Sequence, residues 1–298
     1  MTALAKRRTI ANNRRVNTLP LLSPALFVLL LWMIVPLAMT VWFSFQRYNL
    51  LTPLTTGFAG FDNYKSLLTD PSLWRAMLNT IILVASVLTV TVVLGTLLAV
   101  LFDQEFFGRA VARLLIIAPF FVMPTVSALI WKNMLMHPVN GLVAYPMNAV
   151  GVESIDWFGN WPMTSIVIIV SWQWLPFALL ILLTAIQSLD QEQREAARMD
   201  GARPIHMFFF IILPHLRRAI SVVIMIETIF FLSVFAEIFV TTSGGPGLAT
   251  TNLAFLIYIR SLLEYDVGSA SAGGIIAIVL ANIVAIFLIR TVAKTLEV

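Results

Sequence analysis

Long stretches of this chain lack charged residues, and these stretches are mostly apolar. Each is long enough to cross about 30 Å of hydrocarbon as a helix, which takes roughly 20 residues and satisfies its own backbone hydrogen bonds. The pattern predicts six membrane-spanning helices, of which the fifth differs from the others in carrying two glutamates. They are placed at 22–45, 76–102, 114–131, 163–187, 219–242 and 267–289.

Three prolines are expected to bend two of the predicted spans. Pro119 and Pro124 lie in the third span, and Pro176 lies in the fourth. Proline removes a helical hydrogen bond and its ring clashes with the preceding turn. We therefore expect bends at these positions, and the carbonyls freed by a bend can border a cavity.

The composition indicates a membrane protein. Apolar residues make up 59% of the 298 residues, charged residues make up 11%, and the mean hydropathy is +0.92, whereas a soluble domain carries about 25% charged residues. We expect an all-α membrane protein with a tail at 1–20 and one membrane domain at 21–298. The first span is longer than a signal-peptide core and no small-residue cleavage site follows it, so it is expected to remain as an anchor. Cysteine is absent and the three histidines are scattered, so no metal site is expected.

The basic residues predict an orientation. Most of the 19 lysines and arginines lie in the N-terminal tail, in the loops after the second and fourth spans, and in the C-terminal tail. By the positive-inside rule, both termini and the loop after the fourth span are cytoplasmic. The basic residues adjoin apolar segments, as orientation signals do, so we expect contact with membrane lipid and no nucleic-acid partner.

The loop at 188–218 has the pattern of two short helices joined by a turn. Ser188 and Gln191 have the spacing of a capping box, and opposite charges three or four residues apart are expected to pair, Asp190 with Arg194 and Glu195 with Arg198. The pattern predicts a helix with internal ion pairs that lies at the membrane surface.

The same loop carries residues that favour the end of the first helix and the start of a second helix. Asp200-Gly201 is expected to end the first helix, because glycine takes the left-handed conformation without strain. A second helix is expected near Pro204, with proline in its first turn. The small side chains of Ala196 and Ala197 leave a low face that suits insertion into a partner, although an amphipathic loop lying on lipid is the alternative.

The spacing within this loop resembles the EAA loop of ABC importer permeases. Glu195-Ala196-Ala197 is followed by Gly201 and then by Ile211-x-Leu213-Pro214. In that family the loop forms coupling helices that dock in a cleft of the ATPase subunit. The resemblance implies that the coupling residues are Glu195, Ala196, Ala197, Asp200, Gly201, Leu213 and Pro214.

The resemblance also implies an assembly. It implies the transmembrane domain of a type I ABC importer, in the bacterial inner (cytoplasmic) membrane. The expected partners are a second permease subunit, an ATPase homodimer that binds ATP and Mg, and a periplasmic (extracytoplasmic) solute-binding protein. This chain itself is expected to hold no cofactor and to catalyse no reaction, because it has no Gly-Lys-Ser/Thr phosphate loop; the GGPG run at 244–247 lacks lysine.

Further blocks narrow the resemblance to carbohydrate importers of the maltose type. The run at 244–251 and the Gly-x-Ala-Ser-Ala run at 268–272 look like the region of the last two spans in that subgroup. The blocks at 120–134, 171–190 and 235–242 look closest to sorbitol/mannitol permeases. The resemblance implies a sugar or sugar alcohol as substrate, with a polyol favoured. A disaccharide or a glycerol derivative, and a stand-alone secondary carrier, are the alternatives.

The two glutamates of the fifth span mark a candidate substrate path. A carboxylate in hydrocarbon is costly and normally faces a polar cavity or a partner. On a straight helix, five residues form a stripe within roughly 80°, and two more lie on its flanks. The stripe holds Glu227, Phe230, Val234, Glu237 and Thr241, the flanks hold Phe231 and Ser233, and Trp172 and Gln173 of the fourth span form a second candidate.

This residue set suits a neutral polyhydroxylated substrate. Carboxylates accept hydrogen bonds from sugar hydroxyls, and aromatic rings stack on sugar C–H groups. In the alternative interpretation, the glutamates pair with the second permease or with backbone donors. Trp172 and its neighbours would then be an aromatic belt at the membrane interface.

Overall fold

The computed structural model describes residues 19–296, so the predictions for residues 1–18 lie outside the described part of the chain. Helix α1 (Leu19–Ser44) packs against the last helix of the chain and is otherwise exposed. A short hairpin follows, in which β1 (Gln46–Arg47) pairs antiparallel with β2 (Gly57–Phe58), and a single 3₁₀ turn (Pro53–Thr55) lies in the connection.

Helix α2 (Asp62–Thr69) leads into the long helix α3 (Pro71–Asp103). Asp70 caps α3 by accepting a hydrogen bond from the backbone N–H of Ser72, and Pro71 occupies the first helical position. The helix therefore begins earlier than the predicted start at 76. The predicted span began after Arg75 because charged residues were excluded from it, yet a charged residue near the start of a helix can stay at the interface.

The third predicted span is broken. Helix α4 (Arg109–Ile117) continues as a 3₁₀ turn (Ala118–Phe121), and α5 (Pro124–Leu129) continues as a π-helical turn (Ile130–Leu135). The two halves meet at an angle of 105°. The expected bend is confirmed, and its cause is visible: Met123 is extended before Pro124, as the residue before proline prefers.

Two short helices, α6 (Ala144–Ala149) and α7 (Trp157–Asn160), precede α8 (Pro162–Gln187). Helix α8 runs without interruption through Pro176. Helix α9 (Gln191–Met199) follows it after a short connection.

The predicted fifth span at 219–242 is wrong as a single helix. Helix α10 (Pro204–Met207), a π-helical turn (Phe208–Ile212) and α11 (Leu213–Phe231) form one continuous apolar helix that ends at Phe231. The chain leaves helical geometry before α12 (Ala236–Thr241). Side chains from elsewhere satisfy the backbone at this break, as described below, and the apolar pattern carries no sign of them.

The last described elements are α13 (Leu253–Tyr258), a π-helical turn (Ile259–Leu263) and α14 (Val267–Leu296). Within residues 19–296, five helices are long and apolar enough to cross a membrane, or six if the bent pair counts as one span. The architecture is helical throughout apart from the small hairpin.

The core lies where α3, α8 and α11 pack together. Leu182 of α8 and Leu216 of α11 are fully buried in a cluster that includes Ala99 of α3. Helices α3 and α8 approach closely at Gly95. A Cβ atom added at this glycine would lie only 2.9 Å from the Cβ atom of Ala178. A glycine at this crossing lets the two helices touch.

Candidate functional site

Helix α9, which carries the predicted coupling residues, begins two residues later than the capping-box prediction placed it. Asp190 is the N-cap and accepts a hydrogen bond of 2.9 Å from the backbone N–H of Glu192. Ser188 instead ends α8 and donates to the carbonyl of Ala185 at 2.7 Å. The capping-box prediction is wrong because a carboxylate at 190 was available for the same task.

The internal ion pairs expected in α9 are absent from the described residues. Arg194 does not pair with Asp190; its Nη1 lies 2.6 Å from Oδ2 of Asp103, the last residue of α3. Its Nη2 donates to the carbonyl of Ile186 in α8 at 2.8 Å. Helix α9 is therefore attached through Arg194 to the ends of two membrane helices.

Two more basic side chains contact the same helix ends. Nη2 of Arg113 donates to the carbonyl of Phe102 at 3.2 Å, and Nε2 of His215 lies 2.9 Å from the carbonyl of Ala185. The last carbonyls of a helix lack partners within the helix and carry partial negative charge. Basic side chains therefore satisfy and stabilise the ends of α3 and α8.

The predicted turn at Gly201 is confirmed. Helix α9 ends at Met199, and Gly201 has a φ of +80°. The second helix begins at Pro204 in its first position, as expected. No atom outside the immediate backbone lies within 4 Å of a Cβ at Gly201, so backbone conformation alone favours glycine there.

The remaining coupling candidates divide into two places. Glu195, Ala196 and Asp200 are exposed on α9 and at its end, with Glu195 accepting a long hydrogen bond of 3.3 Å from Gln191. The other residues lie deeper or further along the chain: Ala197 is half-buried, and Leu213 and Pro214 begin α11. The exposed part of α9 is a free surface of this chain.

Among the substrate-path candidates, the two glutamates are both buried within this chain. Glu227 is fully buried, and its Oε2 accepts a hydrogen bond of 2.6 Å from the hydroxyl of Thr91 in α3. Its other oxygen has no hydrogen-bond partner among the described residues. Glu237 lies in the first turn of α12 and is also buried.

The single helical stripe that would join these glutamates does not exist, because the helix breaks between them. Phe231 is fully buried, whereas the neighbouring Phe230 is 51% exposed. Val234 and Thr241 are buried, and the hydroxyl of Ser233 donates to the carbonyl of Phe230. The predicted residues thus face both the interior and the surface.

Donors from other elements hold the break. Nδ2 of Asn252 donates to the carbonyl of Val234 at 2.5 Å, and its Oδ1 caps α13. Nζ of Lys132 donates to the carbonyl of Val240 at 2.9 Å, near the end of α12. Non-helical backbone at membrane depth requires such partners.

The second candidate pair lies beside the bent span. Nε2 of Gln173 donates to the carbonyl of Val122, at the bend, at 2.8 Å. Trp172 contacts Trp131 edge to face, with ring centroids 5.8 Å apart. Trp174 packs against Phe230 with centroids 4.7 Å apart. Gln173 therefore satisfies a carbonyl that the bend set free.

A largely apolar groove of about 470 Å³ lies between α11, α13 and α14. Of the predicted path residues, Ser233 lines it, and Glu227 and Glu237 do not. Its other polar residues are Thr80, Thr228 and Asn282.

Sequence reasoning missed the polar residues of α3. Nδ2 of Asn79 donates to the carbonyls of Leu248 and Thr251, and the hydroxyl of Thr80 accepts from the backbone N–H of Leu253. These residues hold the loop that precedes α13. The available signal was their polarity inside an apolar span, because buried polar groups in a membrane are normally paired.

The far end of α3 carries a second ion pair. Asp70 pairs with Arg260, whose Nη1 also lies 2.7 Å from Glu264. Burial raises the pKa of Asp70, but the hydrogen bonds from Ser72 and the charge of Arg260 outweigh burial and hold the pKa below its usual value. The carboxylate is therefore ionised at neutral pH.

These features define a polytopic helical membrane protein with a two-helix projection between α8 and α11. The chain belongs to the family described as "Binding-protein-dependent transport system inner membrane component", which it matches over residues 71–298. It is thus a membrane component of a transport system and not an enzyme.

Individual relatives agree with this assignment. The chain is 33% identical to the "Probable ABC transporter permease protein y4oQ" of Sinorhizobium fredii, over 91% of this chain and 87% of the relative. It is 31% identical to the "Sulfoquinovosyl glycerol transport system permease protein SmoG" of Agrobacterium fabrum, over 93% and 91%.

A solved structure shares the fold. A bacterial ABC transporter involved in the import of the acidic polysaccharide alginate aligns with a TM-score of 0.78 and 22% identity, over 92% of this chain and 94% of the other. At this identity the likeness shows the architecture alone.

Proposed function

We propose that this chain is one of two membrane-spanning subunits of an ATP-driven, binding-protein-dependent importer that carries a sugar or sugar alcohol into the cytoplasm. The observation that carries the proposal is the two-helix projection at 188–218, with α9 exposed beyond the membrane helices and tied to them by Arg194. A rigid projection of this kind suits docking to a motor subunit.

The proposed assembly has a second permease, an ATPase homodimer with ATP and Mg, and an extracytoplasmic solute-binding protein. Both termini and α9 face the cytoplasm in this arrangement. The caps on α3 and α8 support that orientation, because Arg113 and Arg194 lie together at one end of the helices.

The coupling role is tested by two variants of the docking element. Glu195→Ala removes an exposed carboxylate of α9, and Gly201→Val strains a left-handed turn. In the reconstituted importer we expect each variant to lower uptake at least about tenfold, which corresponds to about 1.4 kcal/mol of coupling. Membrane insertion, measured by membrane fractionation, is expected to stay unchanged.

The matched control is Gln193→Ala, an exposed position on the same helix outside the EAA spacing. It is expected to transport normally. Normal uptake by both coupling variants would contradict the docking role of α9.

Three substrate classes remain in the proposal: a polyol, a disaccharide and a glycerol derivative. The blocks at 120–134 and 171–190 resemble sorbitol/mannitol permeases and favour a polyol. The 31% identity to a sulfoquinovosyl glycerol permease supports a glycoside of glycerol equally well. A thermal-shift screen of the partner binding protein against polyols, disaccharides and glycerol glycosides decides between them, because the class that stabilises the protein is the substrate class.

The proposed path uses the accessible side of the broken span. Phe230 and Ser233 are exposed there, whereas Glu227 is enclosed by this chain and bonded to Thr91. The burial of Glu227 and its bond to the side chain of Thr91 favour a structural role within this chain. This partner differs from the second permease and the backbone donors of the alternative interpretation.

A further inference from the structure

Asp103, the last residue of α3, occupies a position that helix formation does not favour. The C-terminus of a helix carries partial negative charge, so a carboxylate there is repelled. Asp103 is nevertheless paired with Arg194 at 2.6 Å, and both side chains are largely shielded, with exposed fractions of 17% and 15%. The contact with α9 explains this residue better than the stability of α3 does.

Arg194 makes this contact as part of a fork. One guanidinium nitrogen bonds Asp103 of α3, and the other bonds the carbonyl of Ile186 in α8. Two bonds from one planar group fix direction as well as distance. A displacement of α9 is therefore transmitted to the ends of both helices.

Helix α3 reaches from this contact to the opposite side of the molecule. It has 33 residues without interruption, or about 50 Å at 1.5 Å per residue. At its far half, Asn79 and Thr80 hold the loop at 248–253, and Asp70 pairs with Arg260 after α13. One rigid helix thus contacts both α9 and the loop that precedes α13.

We infer that α3 is the strut that carries movement of α9 to the loop at 243–253, and that Arg194 and Asp103 are positioning residues for this coupling. The inference rests on the proposed docking of α9 to an ATPase. Because α3 contacts both α9 and the loop at 243–253, movement of α9 is expected to displace this loop through α3. Movement through α11 is not needed, and the helical backbone that follows α11 is broken at 232–235.

The test uses charge reversal in the assembled importer, with its ATPase, second permease and binding protein in proteoliposomes. Arg194→Glu and Asp103→Arg each place like charges together, and the double variant restores an opposite pair. We expect each single variant to keep basal ATP hydrolysis and to lose about tenfold in binding-protein-stimulated hydrolysis and uptake. The double variant is expected to recover to within about threefold of the parent.

Glu105→Arg is the matched control, because it reverses an exposed charge two residues from Asp103, outside the projection at 188–218, at a position with no ion pair among the described residues. It is expected to behave as the parent does. Rescue by the double variant separates positioning from a general loss of folding, which a second reversal would deepen.

Hydrogen–deuterium exchange on the same complexes provides a readout that needs no transport. The single variants are expected to raise backbone exchange at 243–253 as well as in α9, and the double variant to reverse both. The inference would be overturned if increased exchange were confined to α9. It would also be overturned if the binding protein stimulated ATP hydrolysis in the single variants as strongly as in the parent. A parent complex without any ATP-dependent uptake would instead overturn the proposed function. The exchange result would still show whether α3 links α9 to the loop at 243–253.

Discussion

Asn79 offers a sharp test of how α3 holds the loop that precedes α13. Its side chain is only 2% exposed, and its Nδ2 donates to the carbonyl of Leu248 at 2.7 Å and to that of Thr251 at 2.9 Å. Asn79→Leu keeps a side chain of similar size but leaves two carbonyls without this donor. Each buried group left unsatisfied costs about 1–3 kcal/mol, so we expect the loss of both bonds to lower the free energy of unfolding by about 2–6 kcal/mol.

The matched control is Asn282→Leu in α14. Asn282 is exposed, and its Nδ2 donates to the carbonyl of Ile278 one turn earlier in its own helix. That carbonyl is also available to the helical backbone, so the same substitution is expected to change stability by less than about 0.5 kcal/mol.

Denaturant unfolding of both variants in one detergent measures the difference, with the slope of the transition compared to check that the unfolding reaction is the same. Limited proteolysis of the loop at 243–252 gives a local readout, because a released loop is cut faster. If Asn79→Leu were no less stable than Asn282→Leu and its loop no more sensitive, the two hydrogen bonds would not hold the loop as argued.

Two further predictions concern α3. Gly95→Val places a side chain against Ala178 at the α3–α8 crossing. This overpacking is expected to lower the free energy of unfolding by about 1–3 kcal/mol. An unchanged thermal unfolding temperature would show that the two helices move apart to accommodate the side chain. Asp70→Asn tests the depressed pKa of Asp70 in the folded protein. A carboxyl group whose pKa is lower in the folded state than in the unfolded state, where it is about 3.9, stabilises the fold at pH values above 3.9. This stabilisation is lost as the pH falls through the pKa of the folded state. The parent is therefore expected to unfold at a higher temperature than the variant at pH 7 and to lose this advantage below about pH 4, and an advantage that persisted in acid would contradict the ion-pair role.

The apolar pattern predicts the membrane helices well because hydrocarbon imposes the same requirement on every span. Local chemistry also predicts the bend before Pro124 and the left-handed turn at Gly201, since each depends on one residue and its neighbours. Features of this kind need no knowledge of the rest of the chain.

Predictions that depended on a choice of partner were wrong. Arg194 had an acidic residue four positions away in sequence, yet it bonds Asp103, which lies 91 residues earlier. An exposed pair within one helix contributes little, whereas a shielded pair that also binds a helix end is stronger. Which partner is near enough follows from the packing of α3 on α8, and a single sequence does not contain that distance.

The break at 232–235 is a second feature that local sequence did not predict. Apolar residues continue through it, so the pattern predicts a helix, but its backbone is stabilised by Asn252 and its neighbourhood by Lys132. A helix can end inside a membrane only where another element supplies donors. The interruption is thus encoded in residues outside the interrupted segment.

This dependence indicates why α3 carries buried polar residues. Asn79, Thr80 and Thr91 each bond a group on a segment that follows α8 in the chain: the loop before α13 for the first two, and Glu227 for the third. A translocation path needs non-helical backbone near its walls, and such backbone needs a fixed source of hydrogen bonds. An unbroken helix of 33 residues, with an ion pair at each end, can provide that source and keep it intact while the subunit changes conformation. On this reasoning α3 moves as one rigid body, and movement of α9 during transport is expected to displace the elements that α3 holds together with it.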